Sequence, residues 1–443
     1  MTKYNLEAPE LIPLKSTTEK GFAVLVLLLF SGALLPFLWL EGGTFTEPDA
    51  SSGDPRVQVV WFIIYLVTFF LLAARWQYAV QVAARNKLLW VLVGIALTSV
   101  LWSDVPDITL RQGVALTGTT AFGLYFATRY KMSEQQRLLG WALAIAAVLS
   151  LVFALALPSY GVQSDIDGQG WRGIYSHKNT LGSIMALSTM VFLLLALTSR
   201  KRRWVAGAGL ILSFGLVIFS NSVSGLVVCV LLLALLPVYR ALRWRITLAV
   251  PFLISAWLLG GGVVMWGLYN AETILGALGR DITLTGRTNL WPLVITMISE
   301  RPWLGYGYSG FWEADKGAYF SFALNGFQPT SAHNGFLDLW LQLGLLGVLV
   351  FVLSFLLAFL RAAAWARLSK AIEGLWPLMY LTFMLLHSMS ESSILIRNDI
   401  YWTLYAAAVF SLPARQDSAG STGGEKQTHQ RAVTPDDTHA RMH

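Results

Sequence analysis

The chain contains 443 residues, of which 55% are hydrophobic and only 13% are charged, against about 25% charged in an average soluble domain. This composition excludes an ordinary soluble enzyme and predicts an integral membrane protein. The formal net charge of +7 does not indicate nucleic-acid binding, because the basic residues alternate between successive connections, as is typical of membrane topology and of attraction to anionic lipids.

Twelve apolar segments follow one another along the chain, each close to the roughly 20 residues that cross a bilayer as a helix. No small-residue cleavage pattern follows the first segment, so we interpret it as a helix and not as a signal peptide. The sequence therefore predicts an all-α, polytopic membrane protein with about twelve transmembrane helices, the last two of them short. The segments are residues 21–40, 57–74, 87–103, 108–128, 138–157, 179–198, 204–220, 222–239, 246–268, 335–360, 374–390 and 400–412.

Lysine and arginine alternate between successive connections, which sets the predicted orientation. One side holds residues 1–20, the RKRR run at 200–203 and the tail, whereas the other holds the acidic loop 41–54 and the long segment 269–334. Since basic residues collect in cytoplasmic loops, both termini are predicted to be cytoplasmic.

Two regions depart from this alternation of spans and short connections. Residues 413–443 are polar and rich in small residues, which predicts a disordered cytoplasmic tail after a membrane domain at 21–412. Residues 269–334 form a long outer loop between the ninth and tenth helices, and its aromatic residues include Trp291 and Tyr306. Such aromatics fit either an interfacial belt or stacking on sugar rings, and the residues alone leave both open.

Charged residues are scarce inside the predicted spans, with Arg111 and Asp338 near outer ends as the main exceptions. Ion-coupled transporters usually keep ionisable groups or broken helices near the bilayer midplane, and the sequence indicates neither. No P-loop motif occurs, so the sequence does not support a nucleoside triphosphate as energy source and favours a donor that is already activated.

Paired carboxylates occur at two places, in the triplets Glu47-Pro48-Asp49 and Asp165-Ile166-Asp167. Such pairs can bind a divalent cation, but flexible acidic loops also produce this spacing by chance. The three histidines of the tail are too scattered for a metal site. We therefore predict neither a metal nor another cofactor.

Three outer segments combine a basic or titratable residue with the start of a helix. Free backbone N–H groups and the helix dipole at such starts favour a phosphate-bearing ligand, and the planar fork of arginine clamps phosphate oxygens in pairs. Histidine titrates near neutral pH and can act as a general base. The segments are WRGIYSHKNTLG with Arg172, His177, Lys178 and Asn179, TGRTNLWP with Arg287 and Trp291, and SAHNGFLDLW with His333 and Asn334.

Ordinary structural roles compete with these assignments. Basic residues near helix ends often bond local carbonyls or lipid headgroups, and Asn179 and Asn334 have the residue type that caps helix N-termini. His177 fits a capping role as well as a functional one. The residues alone leave these alternatives open.

The stretch GRTNLWPLVITMISERPWLGYGYSGFW, followed by SAHNGFLDLWLQLGLLG, resembles the signature region of the O-antigen ligase and polysaccharide polymerase superfamily. SHKNTLG and ESSILIRNDIYW further resemble the exopolysaccharide polymerase branch. The resemblance implies a GT-C-like, metal-independent, inverting glycosyltransferase of the bacterial inner membrane, acting on a glycan carried by undecaprenyl pyrophosphate and on a glycan acceptor. A chain-length regulator and export proteins are candidate partners.

Carried over to this sequence, the resemblance implies that Arg172 and Arg287 hold the pyrophosphate and that His333 is the base acting on the acceptor hydroxyl. His177, Lys178, Asn179, Asn334, Trp291 and Tyr306 are further candidates for substrate binding. We expect a polymerase that joins lipid-linked repeat units at the periplasmic face. The alternatives are an O-antigen ligase that transfers glycan to lipid A-core and a non-catalytic flippase or exporter of lipid-linked glycan.

Overall fold

The structure, a computed structural model, describes residues 16–33, 40–41, 44–45, 55–164, 169–198, 201–270, 273, 276, 287–313, 329–369 and 371–413. Fourteen helices of nine or more residues lie within these ranges. They are α1 Ser16–Phe30, α2 Pro55–Ala73, α3 Trp76–Ala84, α4 Lys87–Thr98, α5 Pro106–Arg129, α6 Met132–Ala156, α7 Lys178–Thr198, α8 Arg203–Phe219, α9 Val223–Ala241, α10 Ile246–Tyr269, α11 Arg287–Glu300, α12 Gly335–Leu368, α13 Trp376–Ser388 and α14 Ile400–Ser411.

Short elements connect several of these helices. Two antiparallel ribbons pair β1 (Leu40–Glu41) with β2 (Thr44–Phe45) and β3 (Val162–Gln163) with β4 (Gly170–Trp171). The remaining short elements are the helical turns Pro158–Gly161 and Gly310–Glu313 and the 3₁₀ turns Ser99–Leu101 and Ile372–Leu375. The helices belong to one compact unit that ends at Leu412, and the predicted tail lies outside the described residues apart from Pro413.

Each of the twelve predicted apolar segments contains a helix, so the prediction of an all-α, polytopic membrane protein is confirmed. Six helices are long and apolar enough to cross a bilayer, or seven if α3 and α4 count as one bent span. Twelve crossings remain a prediction. Sequence reasoning missed α3, a nine-residue helix in a predicted cytoplasmic loop, which meets the helical stretch Lys87–Leu101 at an angle of 91°.

Helix α12 is broken at Gly344, whose φ of 65° and ψ of −171° are non-helical. The break packs against the end of the long loop: the N–H groups of Tyr306 and Gly307 donate to the carbonyls of Leu341 and Gln342, each at 2.9 Å. A Cβ on Gly344 would lie 2.2 Å from the Trp303 carbonyl carbon. Only glycine fits both the dihedral angles and this close approach.

The last two helices are too short to cross the hydrocarbon core, since their 13 and 12 residues extend only about 18–20 Å at 1.5 Å per residue. Residues 389–399, which join them, are therefore recessed between the longer helices. The backbone N–H of Asn398 donates to the Thr119 hydroxyl at 2.9 Å, and Thr119 lies about 20 Å along α5 from its first residue. The sequence did not indicate a broken helix, whereas the structure breaks α12 at Gly344. Residues 389–399 are named below the closing segment.

Candidate active site at the outer end of the bundle

His333 has a strained backbone immediately before α12. Its φ is +48°, a left-handed conformation that a non-glycine residue adopts at a cost of about 1–3 kcal/mol. The next residue, Asn334, caps the helix, because its Oδ1 accepts from the N–H groups of Phe336 at 3.0 Å and Leu337 at 3.2 Å. The structural role that the sequence left open for Asn334 is therefore its role in this structure, and the cap fixes His333 at the helix start.

A buried carboxylate anchors the backbone on the other side of His333. Asp338 is only 4% exposed and accepts from Ala332 N–H at 3.0 Å and from the Trp312 indole N–H at 2.8 Å. The hydroxyl of Ser392, in the closing segment, donates to the same carboxylate. Asp338 was conspicuous in the sequence as a charged residue in an apolar span, and the structure shows that it joins three segments around His333.

Trp291, on α11, contacts the loop that precedes His333. Its indole N–H donates to the Ala332 carbonyl at 3.0 Å, so both polar backbone groups of Ala332 are satisfied by side chains. The contact connects the second outer segment with the third. In this structure, Trp291 acts on the backbone next to His333.

Glu391 of the closing segment lies beside the His333 ring, with 3.3 Å between its Oε2 and the ring Nδ1. This distance is long for a hydrogen bond, as is common for catalytic groups before substrate binds. A carboxylate at Nδ1 favours the tautomer in which that nitrogen is protonated, which leaves Nε2 as the acceptor. The His333 side chain is 36% exposed and that of Glu391 is 20% exposed, so the pair is accessible from the surface. Sequence reasoning missed Glu391.

Arg172 follows the β3–β4 ribbon and is the second residue of the first outer segment. Its backbone N–H donates to the Gly161 carbonyl at 2.9 Å, and its Nε donates to the Tyr160 carbonyl at 2.7 Å. The side chain is partly buried and lines a cavity of about 620 Å³. The other lining residues are Pro158, Ser159, Val162, Gln163, Ser164 and Gln169.

His177 and Lys178 have structural contacts at the start of α7. The His177 Nδ1 accepts from the Asn179 N–H at 3.1 Å, so the ring caps the helix. Lys178 is 1% exposed, and its N–H donates to the Gln163 side-chain carbonyl at 2.8 Å. Gly170 packs against the lysine stem, since a Cβ there would lie 3.0 Å from the Lys178 Cδ. The expectation of direct substrate contact by Lys178 therefore does not fit this arrangement, whereas Asn179 is only partly buried.

Tyr306 is a packing residue, contrary to the expectation that it binds a sugar. It is 1% exposed, and its hydroxyl donates to the Met297 carbonyl at 3.0 Å and to Glu300 at 2.9 Å. The Arg301 guanidinium lies 4.6 Å from the centre of its ring. Since the protein covers both the ring and the hydroxyl, no face remains for stacking on a sugar.

Arg287 is the first residue of α11, which agrees with its position just before the Thr288-Asn289 helix-start signal. The structure describes its backbone and not its side chain. The acidic pairs Glu47/Asp49 and Asp165/Asp167 also lie outside the described residues. Within the described part of the chain, no group of three or more His, Cys, Asp or Glu side chains has the geometry to hold a metal ion.

Two of the three predicted outer segments meet at one place. The hydrogen bonds described above join the second segment to the third and the third to the closing segment. These contacts place Trp291 and Glu391 in the surroundings of His333, whereas the contacts given above for Arg172, His177 and Lys178 are made within residues 160–179.

Two family models and a known protein match parts of this chain. A family model described as O-Antigen ligase matches residues 208–352. The exopolysaccharide production protein ExoQ of Rhizobium meliloti (strain 1021) is 25% identical over 276 residues, which cover 60% of this chain and 62% of that protein. These two findings support the resemblance of this chain to the O-antigen ligase and polysaccharide polymerase superfamily.

Within the O-antigen ligase match lie Arg287, Trp291, Tyr306, His333 and Asn334, whereas Arg172 and Glu391 lie outside it. A second family model, described as an acyltransferase domain, matches residues 15–220. That region holds α1 to α8 and Arg172. His333, inside the O-antigen ligase match, is thus paired with Glu391, which lies in a segment beyond that match.

Proposed function

We propose that this protein is a polymerase that joins undecaprenyl-pyrophosphate-linked oligosaccharide repeat units into exopolysaccharide at the periplasmic face of the inner membrane, with both termini in the cytoplasm. The observation that carries the proposal is the His333–Glu391 pair at the end of a helical bundle. His333 has a strained backbone, and hydrogen bonds of Asp338 and Trp291 with the preceding residue hold its loop in place. The match to the O-antigen ligase family model and the similarity to a protein named for exopolysaccharide production support it.

The proposed step is an inverting displacement at the anomeric carbon of the donor. As the acceptor hydroxyl oxygen attacks this carbon, Nε2 of His333 takes its proton, and the bond from the carbon to the lipid pyrophosphate breaks. Glu391 stabilises the imidazolium that forms, as a carboxylate at the second ring nitrogen commonly does. The pyrophosphate leaves with the bonding electron pair.

The departing pyrophosphate requires positive charge, which we assign to Arg172 and Arg287. A guanidinium fork can bind two phosphate oxygens at once, and Arg287, as the first residue of α11, lies where a helix N-terminus adds partial positive charge. The lipid tail of the donor would remain in the bilayer while its pyrophosphate and sugar reach His333 from the outer side.

Two other functions have specific support. An O-antigen ligase would use the same donor chemistry and differ in its acceptor, lipid A-core, and the description of the matching family model favours it. A flippase or exporter is favoured by the recessed closing segment, because broken helices with ionisable residues also occur in transporters. Acyl transfer, suggested by the second match, has weaker support, since the outer histidine of that region, His177, caps a helix.

Reconstitution of the purified protein separates these functions. Proteoliposomes would receive lipid-linked repeat units with or without lipid A-core, and glycan products and released undecaprenyl pyrophosphate would be measured. A polymer ladder without lipid A-core supports the polymerase, whereas a product that requires lipid A-core identifies a ligase. Movement of the donor across the membrane without pyrophosphate release would refute both enzymatic functions and leave a flippase.

A further inference from the structure

Helix α3 (Trp76–Ala84) runs at a right angle to the span that follows it. It meets the helical stretch Lys87–Leu101 at 91°, and that stretch lies within the predicted transmembrane segment 87–103. Transmembrane helices are tilted by only about 20° from the bilayer normal on average, so a helix at a right angle to one of them lies along the plane of the membrane. Because α3 joins the end of α2 to the start of α4, it lies where these two helices leave the bilayer.

Hydrogen bonds fix the elbow between α3 and α4. Asn86 is 7% exposed, its side-chain N–H donates to the Val82 carbonyl at 3.1 Å, and its Oδ1 accepts from the Arg361 guanidinium at 2.8 Å. Arg361 lies on α12 and also donates to the Leu412 carbonyl at the end of α14. Helix α3 packs against α5, with Ala79 and Val82 buried. The protein thus sets which sides of α3 face outward.

The exposed residues of α3 form an apolar face and a polar face. At about 100° per residue, Trp76 and Val80 lie about 40° apart, and the pair Gln77 and Gln81 lies about 100° further round the helix. Trp76 is 61% exposed and Val80 is 56% exposed, and both glutamines are exposed. A helix with these two faces is typical of the bilayer surface, where its apolar side enters the boundary between headgroups and acyl chains. Tryptophan is enriched at this level.

Basic residues flank α3 at both ends. Arg75 precedes the helix, and Arg85 and the exposed Lys87 follow it, whereas residues 57–103 contain no aspartate or glutamate. Lysine and arginine near a membrane surface are attracted to anionic headgroups. The sign of the charge beside α3 therefore complements a leaflet that contains anionic phospholipids.

We propose that α3 is an interfacial anchor that binds anionic phospholipid headgroups through Arg75 and Lys87, while Trp76 and Val80 enter the acyl boundary. Its nine residues extend about 13–14 Å, so the helix alone buries too little apolar surface for firm attachment. The basic residues add attraction, and the spans on either side hold the helix at the surface. The inference goes beyond the proposed function, since a polymerase, a ligase and a flippase would present the same surface.

Fluorophores on Val80→Cys and Gln81→Cys, each in the full-length protein in nanodiscs, test the position of α3. Cys229 is the only cysteine of the chain and is buried, so labelling of the unchanged protein gives the background. Phosphatidylcholine brominated on its acyl chains should quench the label at 80, and iodide in the buffer should quench the label at 81. Quenching of both labels by iodide alone, or of both by the brominated lipid alone, overturns the proposal.

Brominated phosphatidylglycerol in place of brominated phosphatidylcholine tests the recognition of charge. At equal lipid fractions it should quench the label at 80 more strongly, and high salt should reduce this preference. Arg75→Gln and Lys87→Gln should each lower the preference by up to about fivefold. The matched control is Arg367→Gln, an exposed charge in the last turn of α12, and it should keep the preference. Equal quenching by the two lipids, or an unchanged preference when both Arg75 and Lys87 are replaced, overturns the assignment to anionic headgroups.

Discussion

Replacement of Asp338 by alanine should inactivate the protein, although this carboxylate lies beneath the site and is buried. The change leaves the Ala332 and Trp312 N–H groups without their acceptor in a buried position. Each unsatisfied donor costs about 1–3 kcal/mol, so we expect a loss of about 2–6 kcal/mol in the free energy of unfolding or of opening of this region. The loop that holds His333 at a left-handed φ should then relax, because a strained conformation persists only while its surroundings enforce it.

Two measurements on the purified protein test this prediction. Hydrogen exchange should accelerate at residues 329–334 and 389–399, and transfer activity should fall with it. Asp338→Asn keeps one carbonyl oxygen for the Trp312 and Ala332 donors, and its NH₂ group can donate to Ser392, so its effect should be much smaller. Asp107→Ala, at an exposed acidic residue, is the control and should change stability by less than about 0.5 kcal/mol. If Asp338→Ala matches Asp107→Ala in exchange and activity, Asp338 does not position His333.

Three further predictions follow from the structure and the proposed chemistry. Gly344→Ala should sharply reduce the yield of folded protein in membranes, because its Cβ would collide with the Trp303 carbonyl. The control Gly215→Ala lies in open space on α8 and should be tolerated. Equal yields of the two variants would contradict the close approach at Gly344. Arg287→Lys should reduce polymer formation nearly as much as Arg287→Ala, because the fork is lost. The control Arg301→Ala removes an exposed ion pair with Asp104, worth about 0–1 kcal/mol, and a cation–π contact with Tyr306, and it should be mild. Full activity of the lysine variant would argue against bidentate phosphate binding. Removal of divalent cations with a chelator should leave the rate of glycosyl transfer unchanged. If activity is lost and magnesium or manganese restores it, the acidic pairs Glu47/Asp49 and Asp165/Asp167 become the candidate metal ligands.

The helical architecture was predictable because long apolar segments have few alternatives in a bilayer. The break at Gly344 was not, since glycine is also common inside transmembrane helices, and only the approach of Trp303 reveals its conformation. The short helix α3 was missed because its nine residues fall well below the length of a span. The recess of the closing segment depends on contacts with Tyr65 and Thr119, far away in the sequence.

The site was predictable where its determinants are local. The residue type and position of Asn334 favoured a cap as one of two roles, and the structure shows that cap. Glu391 was not identified, because it lies 58 residues from His333 in the chain and no local sequence pattern predicts that the two side chains meet. The burial of Tyr306 was not predictable, since an aromatic residue in a loop can either bind a ligand or fill the interior.

The central claim is that His333 is the base that activates the acceptor, and it is tested most directly in cells that carry His333→Ala at wild-type membrane abundance. Polymer on gels and the accumulated lipid-linked donor would be measured in the same samples. A positioned base contributes typically about 10² to 10⁴-fold in rate, so we expect polymer to disappear and donor to accumulate, with a smaller defect for the capping residue variant His177→Ala. Full-length polymer from the His333→Ala cells, or equal defects for the two histidine variants, would contradict the claim.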